Sequence, residues 1–237
     1  MEARKIIIVE GENDKKFILS LAQRMGITIV SNSIKVADGV EEAKRLFKTY
    51  LKSTDTLTHV SIVLDSDNNF IGTWQSLFNS INNTGKYQLG KFKPDNEISS
   101  IIRPKNEDDI IVGIWLMPDN KQNGMMEDFI CSLIPVDNSL LNKAGTVVDD
   151  LDNNREQYYN VFKSVHKSKA KLYTWLSWQD SPEKTPEQAI KSSMFDDVFL
   201  SSESCKNFIA WLRDVAEIVD VDKQLHCVNP KILNIME

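Results

Sequence analysis

An α/β protein built on a parallel sheet is what this sequence predicts, and three observations predict it. Ile6-Ile7-Ile8-Val9 and Ser61-Ile62-Val63-Leu64 are continuous, β-branched-rich runs of strand length, as expected of strands buried on both faces. The segments between them carry apolar residues at helical spacing. Each run also ends in acid, Glu10-Gly11 after the first and Asp65-Ser66-Asp67 after the second. In an open α/β sheet ligands bind beyond the carboxyl ends of the strands, so both segments would deliver carboxylates to one edge.

The elements follow in order. Residues 14–25 place Phe17, Ile18, Leu21, Ala22 and Met25 on one helical face, and Gly26 stops that helix. Residues 27–36 offer one or two short extended segments. Asp38-Gly39 turns the chain into a helix over 40–51, with Val40, Ala43, Leu46, Phe47 and Tyr50 on one side. A strand at 60–64 and a helix near 70–81 complete a βαβαβα order, which implies right-handed crossovers between parallel strands. Residues 82–94 are turn-rich and read as a loop. Residues 98–102 and 110–116 look like two further strands in a hairpin around Pro104-Lys105-Asn106. The second runs into Met117-Pro118-Asp119-Asn120, again a carboxylate at a strand terminus. Gly124-Met125-Met126-Glu127-Asp128-Phe129-Ile130 reads as a helix start.

From Asp137 onward helical spacing dominates, with helices near 140–151, 156–178 and 205–219 and a loop over 181–186. Phe208, Trp211, Leu212, Val215 and Val219 make the core-facing stripe of the last helix. No linker forces a boundary. The expected organisation is an α/β core over 1–135 and a helical extension over 136–237 packed on it in one compact domain.

Composition narrows the class. The apolar fraction of 41% and charged fraction of 26% are ordinary for a globular chain of 237 residues. No apolar stretch approaches the roughly eighteen residues of a membrane span, and Met1-Glu2-Ala3-Arg4-Lys5 leads straight into a strand without a signal-peptide core. Cys131, Cys205 and Cys227 are scattered and lack CxxC spacing, and His59, His166 and His226 form no ligand cluster. The expected compartment is therefore the cytoplasm, with no membrane partner. Net charge of −6 argues against a uniformly basic surface. Charge is nevertheless uneven: residues 163–193 hold six Lys against three acids, and residues 194–222 hold two basic residues against seven acids. This leaves room for a local basic strip on an acidic protein, and global charge does not decide the substrate.

The acids carry the chemistry. Alternation along an extended segment would point Asp65 and Asp67 to one side, where like charges are costly unless a cation joins them. Mg²⁺ is typically held by one or two carboxylates, with water and phosphate oxygens completing its shell. A Glu, then Asp-x-Asp one unit later, is the arrangement expected of a metal-dependent phosphoester enzyme. The competing reading is structural, since Asp67 could simply cap the helix that starts near Asn68-Asn69-Phe70.

Ile7-Ile8-Val9-Glu10-Gly11-Glu12-Asn13-Asp14 with Asp65-Ser66-Asp67 resembles the Toprim domain of topoisomerases, bacterial primases and overcoming-lysogenization-defect (OLD) nucleases. Gly113-Ile114-Trp115-Leu116-Met117-Pro118-Asp119-Asn120, Gly124-Met125-Met126-Glu127-Asp128-Phe129 and His166-Lys167-Ser168-Lys169-Ala170 extend the resemblance to small stand-alone Toprim proteins similar to the nuclease half of the OLD enzymes. It spreads over residues 6–213. The resemblance implies a Toprim-like Rossmannoid sheet and an endonuclease dependent on Mg²⁺ or Mn²⁺, with two ions. It implies that Glu10, Asp14, Asp65, Asp67 and Glu127 bind metal, with Asp119 and Asp128 as rivals to Glu127. It implies catalytic roles for Glu10 and for Lys169, the latter facing the scissile phosphate.

For Asp14 a second role stays open, because acids favour a helix N-terminus in any case. Lys163, Lys167 and Lys171 fall on one helical face and read as solvated, with Lys169 off that face. Trp115, Trp175, Trp178 and Trp211 read as packing residues. No Walker loop is present, so an OLD-like control by nucleotide hydrolysis would need a separate ATPase partner, as in phage-defence or mobile-element systems. A homo-oligomer stays open. The alternatives are a non-catalytic Toprim-shaped module that binds nucleic acid or a partner, and a haloacid-dehalogenase-like phosphatase. The latter expects Asp-x-Asp after the first strand, whereas here the pair follows a later one.

Overall fold

The two β-branched runs lie side by side at the middle of the sheet. The computed structural model describes residues 4–53, 56–89 and 100–216. In chain order the elements are β1 (Arg4–Val9), α1 (Glu12–Arg24), β2 (Ile34–Val36), α2 (Val40–Leu51), β3 (Leu57–Asp65), α3 (Phe70–Asn82), β4 (Ile101–Ile102) and β5 (Ile111–Met117). Six helices follow: α4 (Met126–Leu133), α5 (Ser139–Asn153), α6 (Lys167–Ser177), α7 (Pro186–Lys191), α8 (Asp197–Leu200) and α9 (Glu203–Ala216). The sheet has the order β2-β1-β3-β5-β4, and only β4 runs antiparallel. This is the α/β architecture expected from the sequence, a mostly parallel sheet flanked by helices with a helical C-terminal part.

Alternation along the strands divides the core into two layers. Ile7, Val9, Val63, Trp115 and Met117 face α1, α4 and the C-terminal helices, whereas Ile6, Ile8, Ile62, Leu64, Ile114 and Leu116 face α2 and α3. Both layers are buried, which is why these strands read as continuous apolar runs. The connection from β1 leads outward to β2, and the chain then returns past β1 to β3. The direction of winding therefore reverses between β1 and β3, and at such a switch point a crevice opens beyond the strand ends.

The C-terminal helices belong to this core. Phe208 and Trp211 of α9 meet Trp115 of β5 at 5.0 and 5.7 Å between ring centroids, and Phe208 meets Phe129 of α4 at 5.3 Å. Such aromatic contacts add about 0.5–1.5 kcal/mol each beyond their burial. Trp115, Trp175 and Trp211 are buried, as their packing role requires, whereas Trp178, expected to pack as well, is 39% exposed just after α6.

The C-terminal half differs from expectation in the start of one helix and in two short helices. The helix expected over 156–178 begins only at Lys167. Residues 155–166 form a loop with short 3-10 turns at Arg155–Gln157 and Ser164–His166. The Arg155 guanidinium explains it, donating to Asp152 Oδ1 (2.9 Å), Ser164 Oγ (2.6 Å) and the Phe162 carbonyl. Charge-assisted bonds of this kind outweigh helical propensity. The short helices α7 and α8 were not expected at all. Residues 90–94 of the expected loop, residues 98–99 of the first hairpin strand, and Val219, His226 and Cys227 lie outside the described residues. Among the described residues no helix is long and apolar enough to cross a membrane.

Gly113 fixes how closely α9 approaches the sheet. A Cβ there would lie 2.6 Å from Ser61 Oγ and 2.7 Å from Val215 Cγ1. Replacing a strand glycine by alanine ordinarily gains about 0.5–1 kcal/mol, but overpacking of this kind costs about 1–3 kcal/mol. The expected outcome for Gly113→Ala is net destabilisation, read as a lower urea midpoint at unchanged slope. An unchanged or raised midpoint would show that α9 can slide away freely.

Candidate functional site

The register of the central strands brings the acids together. β1 and β3 pair with Ile8 opposite Ile62, so Glu10 and Asp65 leave the sheet at the same edge. The Asp65 backbone N–H donates to Glu10 Oε1 at 2.9 Å. β5 pairs with β3 through Asp65 opposite Met117, and the loop after β5 delivers the start of α4 to the same place. There the Met126 N–H donates to Asp65 Oδ1 at 2.8 Å. A cleft of about 590 Å³ results, bordered by the N-termini of α1, α2, α4 and α6.

Its lining is strongly acidic. Glu10, Glu12, Asp14, Asp38, Asp65, Asp67 and Glu127 contribute carboxylates, against Lys169 and the His166 imidazole. All six residues implied by the resemblance are therefore in one cleft. Glu127 is only 6% exposed and has Lys169 Nζ 3.7 Å from its Oε1. The rivals are engaged elsewhere. Asp128 closes the first turn of α4, accepting from the Met125 N–H at 2.9 Å and from the Ser168 hydroxyl. Asp119 accepts from the Lys121 and Gln122 N–H groups in the turn after β5. Lys169 is separate from the face of Lys163, Lys167 and Lys171: Lys167 Nζ sits 2.8 Å from Asp149 Oδ1, and Lys171 packs over Gly145.

Asp14 holds both roles left open by the sequence. Its Oδ2 accepts the Gly11 N–H at 2.8 Å, closing the first turn of α1, while the residue lines the cleft. The start of α4 repeats this device with Met125 and Asp128 in the places of Gly11 and Asp14.

Asp67 reaches the cleft by a route other than the expected one. β3 ends at Asp65, and Asp67 lies in the left-handed region at φ 45°. Extended alternation therefore does not relate the two aspartates. The Ser66 and Asp67 N–H groups both donate to the Gly124 carbonyl, at 3.0 and 2.8 Å. Buried Ser66 lies within hydrogen-bond reach of the carbonyls of Met117, Gln122 and Gly124. Gly124 itself has φ 151°, and a Cβ there would press on Asp128 and Pro118. Asn69 is the helix cap, accepting the Gly72 N–H at 3.0 Å, so Asp67 is released from that role.

Sequence reasoning missed Asp38. It follows β2 and lies on the cleft, so the strand-end rule applied to Glu10 and Asp65 would have found it.

Electrostatics mark the cleft as unfavourable for unpaired negative charge. Burial, with the neighbouring Glu10, Asp14 and Glu127 charges, pushes the Asp65 carboxyl up to about 8 despite its bond from Met126. Burial likewise pushes Glu10 up to about 7, opposed by the Asp65 N–H and reinforced by Asp14 and Asp67. Asp14 is raised by burial and by Glu127, while the Gly11 N–H and Lys169 act the other way. Among the described residues no three His, Cys, Asp or Glu side chains already stand as a coordination shell. Glu10, Asp14 and Asp65 instead each accept a backbone N–H. The donors are all hard carboxylate oxygens, which suit Mg²⁺, Mn²⁺ or Ca²⁺ and not a soft metal. A divalent cation would also remove the repulsion that raises these groups.

The family model described as Protein of unknown function (DUF3226) matches residues 4–217. No curated protein and no solved structure matches the chain.

The raised carboxyls fix the sign of a pH effect. Folded Asp65 and Glu10 keep their protons to about 8 and 7, whereas the unfolded chain releases them near 3.8 and 4.5. Between those limits the folded state binds more protons, so stability falls as pH rises. In EDTA the thermal midpoint is expected to fall from about pH 5 to about pH 8, and Asp65→Asn to flatten that fall. Parallel profiles for the two proteins would remove Asp65 from the account.

Proposed function

We propose that this chain, which belongs to the DUF3226 family, is a divalent-metal-dependent nuclease that hydrolyses nucleic-acid phosphodiesters. The observation that carries the reading is the convergence of Glu10, Asp14, Asp65, Asp67 and Glu127 with Lys169 on one cleft at the β1/β3 switch point. Those are the residues the Toprim resemblance singles out from sequence alone. Two Mg²⁺ or Mn²⁺ ions would be held by Glu10, Asp65 and Asp67, with Asp14 and Glu127 completing the set.

Bound there, such ions supply Lewis acidity that lowers the pKa of a water and stabilises a leaving oxygen. The chain's own groups account for the rest. The N-termini of α1 and α4 border the cleft and offer partial positive charge to a phosphate. The Lys169 ammonium can neutralise a non-bridging phosphate oxygen as charge develops. The Glu10 carboxylate can accept the proton of the attacking water. Water adds to phosphorus, one ester P–O bond breaks, and the departing oxygen takes up a proton. The Lys169–Glu127 pair joins the cation to the metal-binding set: engagement of Glu127 by an ion would free Lys169 for the substrate.

One observation favours the non-catalytic Toprim-shaped module instead. Glu10, Asp14 and Asp65 each serve a backbone N–H, which is a structural use of a carboxylate. The nuclease reading is preferred because hydrogen bonding alone leaves Asp65 and Glu10 raised toward or above neutrality, a cost a purely structural site has no reason to carry. Control by a separate ATPase in an anti-phage or mobile-element setting, and a cytoplasmic location, belong to the same proposal.

Cleavage of supercoiled plasmid and of total tRNA in Mg²⁺ and Mn²⁺, with EDTA controls, is the direct assay. Asp65→Asn is expected to abolish cleavage. Lys169→Ala is expected to lower it about 10²–10³-fold, as loss of one transition-state contact does. Its thermal midpoint in Mn²⁺ should shift little, since Lys169 is exposed. Wild-type rates in both variants would transfer the assignment to the binding module.

A further inference from the structure

The loop that replaces the expected helix is a built feature beside the cleft. Arg155 ties its two ends, binding Asp152 before it and Phe162 and Ser164 after it. The Ser164 hydroxyl adds a bond to Asp152 Oδ1 at 2.7 Å. Tyr158 lays its hydroxyl 3.3 Å from Asp150 Oδ2 and is fixed to α5. Its neighbour Tyr159 does the opposite and stands 93% exposed. The loop then runs through exposed Lys163 into Val165 and His166, which line the cleft with Lys169. Tyr159 precedes Val165 by six positions, so its Cα lies within about 20 Å of that part of the cleft wall.

An exposed tyrosine alone signifies nothing, because single exposed aromatics are common. Three further facts give this one meaning. Its loop is tied at both ends by the charge-assisted bonds of Arg155, so little backbone disorder remains to be lost on binding. It has only two side-chain torsions, so fixing the ring costs little. It is followed by exposed Lys163 and then by His166 and Lys169, which line a cleft whose other charged groups are all acids. A polyanion approaching those acids needs such groups.

We propose that residues 155–166 form the platform on which an unpaired strand of nucleic acid enters the cleft, with the Tyr159 ring stacking on a base and Lys163 contacting the backbone. The inference rests on the nuclease reading for what happens next, and it names the substrate class as single-stranded DNA or RNA. A ring that stands out of the surface needs the open face of a base, which a duplex keeps covered by its own stacking. Stacking of this kind is tolerant of sequence, whereas the Lys163 contact is electrostatic and adds to the salt dependence of binding.

The test measures binding and cleavage separately. Fluorescence anisotropy with a 20-nucleotide single strand and with the matching duplex is run in Ca²⁺, which takes the same oxygen ligands, and product formation is followed in Mg²⁺ and Mn²⁺. Tyr159→Ala is expected to weaken single-strand binding about five- to 100-fold, the range of one base–aromatic stack, with Tyr159→Phe within about two-fold of wild type. Duplex binding should be unchanged by either. Lys163→Ala should lower the salt slope of single-strand binding by about 0.7. The exposure of Tyr159 means that no variant should unfold, which a thermal scan confirms.

Wild-type single-strand affinity in Tyr159→Ala overturns the proposal, as does equal loss for single strand and duplex or a change of oligomeric state showing the ring to be a contact between copies. Loss of single-strand binding without cleavage by wild type in any metal leaves the platform standing and overturns the nuclease reading. Cleavage that is indifferent to Tyr159 and Lys163 does the reverse.

Discussion

The parallel pairing of β1 with β3 is the constraint on which the rest depends. A one-residue slip of β1 would drive Ile6 and Ile8 into the layer shaped around Ile7 and Val9, and close packing resists that exchange, so Ile8 stays opposite Ile62. That register sets Glu10 beside the start of the Asp65 segment and lets its carboxylate take the Asp65 N–H. The same strands form the boundary at which the winding direction reverses, so the acids emerge where a crevice must exist. β5 joins on the far side of β3 and brings α4, with Glu127 in its first turn, over the same edge.

Packing behind the edge makes the electrostatics expensive. α9 seals one face of the sheet with Phe208 and Trp211 and holds α4 through Phe129. This fixes the N-terminus of α4 against Asp65 and prevents the carboxylates from separating into water. Backbone donors offset part of the repulsion: Asp65 to Glu10, Met126 to Asp65 and Gly11 to Asp14. They do not offset all of it, since burial leaves Asp65 and Glu10 well above ordinary carboxyl values. On the proposed reading, a cation bound between these carboxylates relieves this strain.

Much of this was legible in the sequence, because the relevant signals are local. The runs at Ile6-Ile7-Ile8-Val9 and Ser61-Ile62-Val63-Leu64 declare buried strands, and the helical stripe from Val40 to Tyr50 lies within α2, whose bounds are Val40–Leu51. Glu10 and Asp65 follow from the strand-end rule without further information. The rest depends on partners distant in the chain. Asp67 is turned by the Gly124 carbonyl 57 residues later, so extended alternation gave the right cleft for the wrong reason. The loop at 155–166 is imposed by Arg155 bridging Asp152 to Phe162 and Ser164, a pattern no periodicity encodes. The helices α7 and α8 span only Pro186–Lys191 and Asp197–Leu200, too short to leave a stripe.

The central claim is that Glu10 and Asp65 hold divalent metal at the β1/β3 edge, and the measurement closest to it is anomalous scattering from a crystal grown at about pH 8 with Mn²⁺, where these carboxyls lose their protons. The account expects anomalous density between the Glu10 and Asp65 carboxylates, with the Glu10 side chain withdrawn from the Asp65 N–H to meet it. Density elsewhere in the molecule, or an Mn²⁺-soaked protein in which Glu10 still accepts the Asp65 N–H with no peak beside it, would contradict the account.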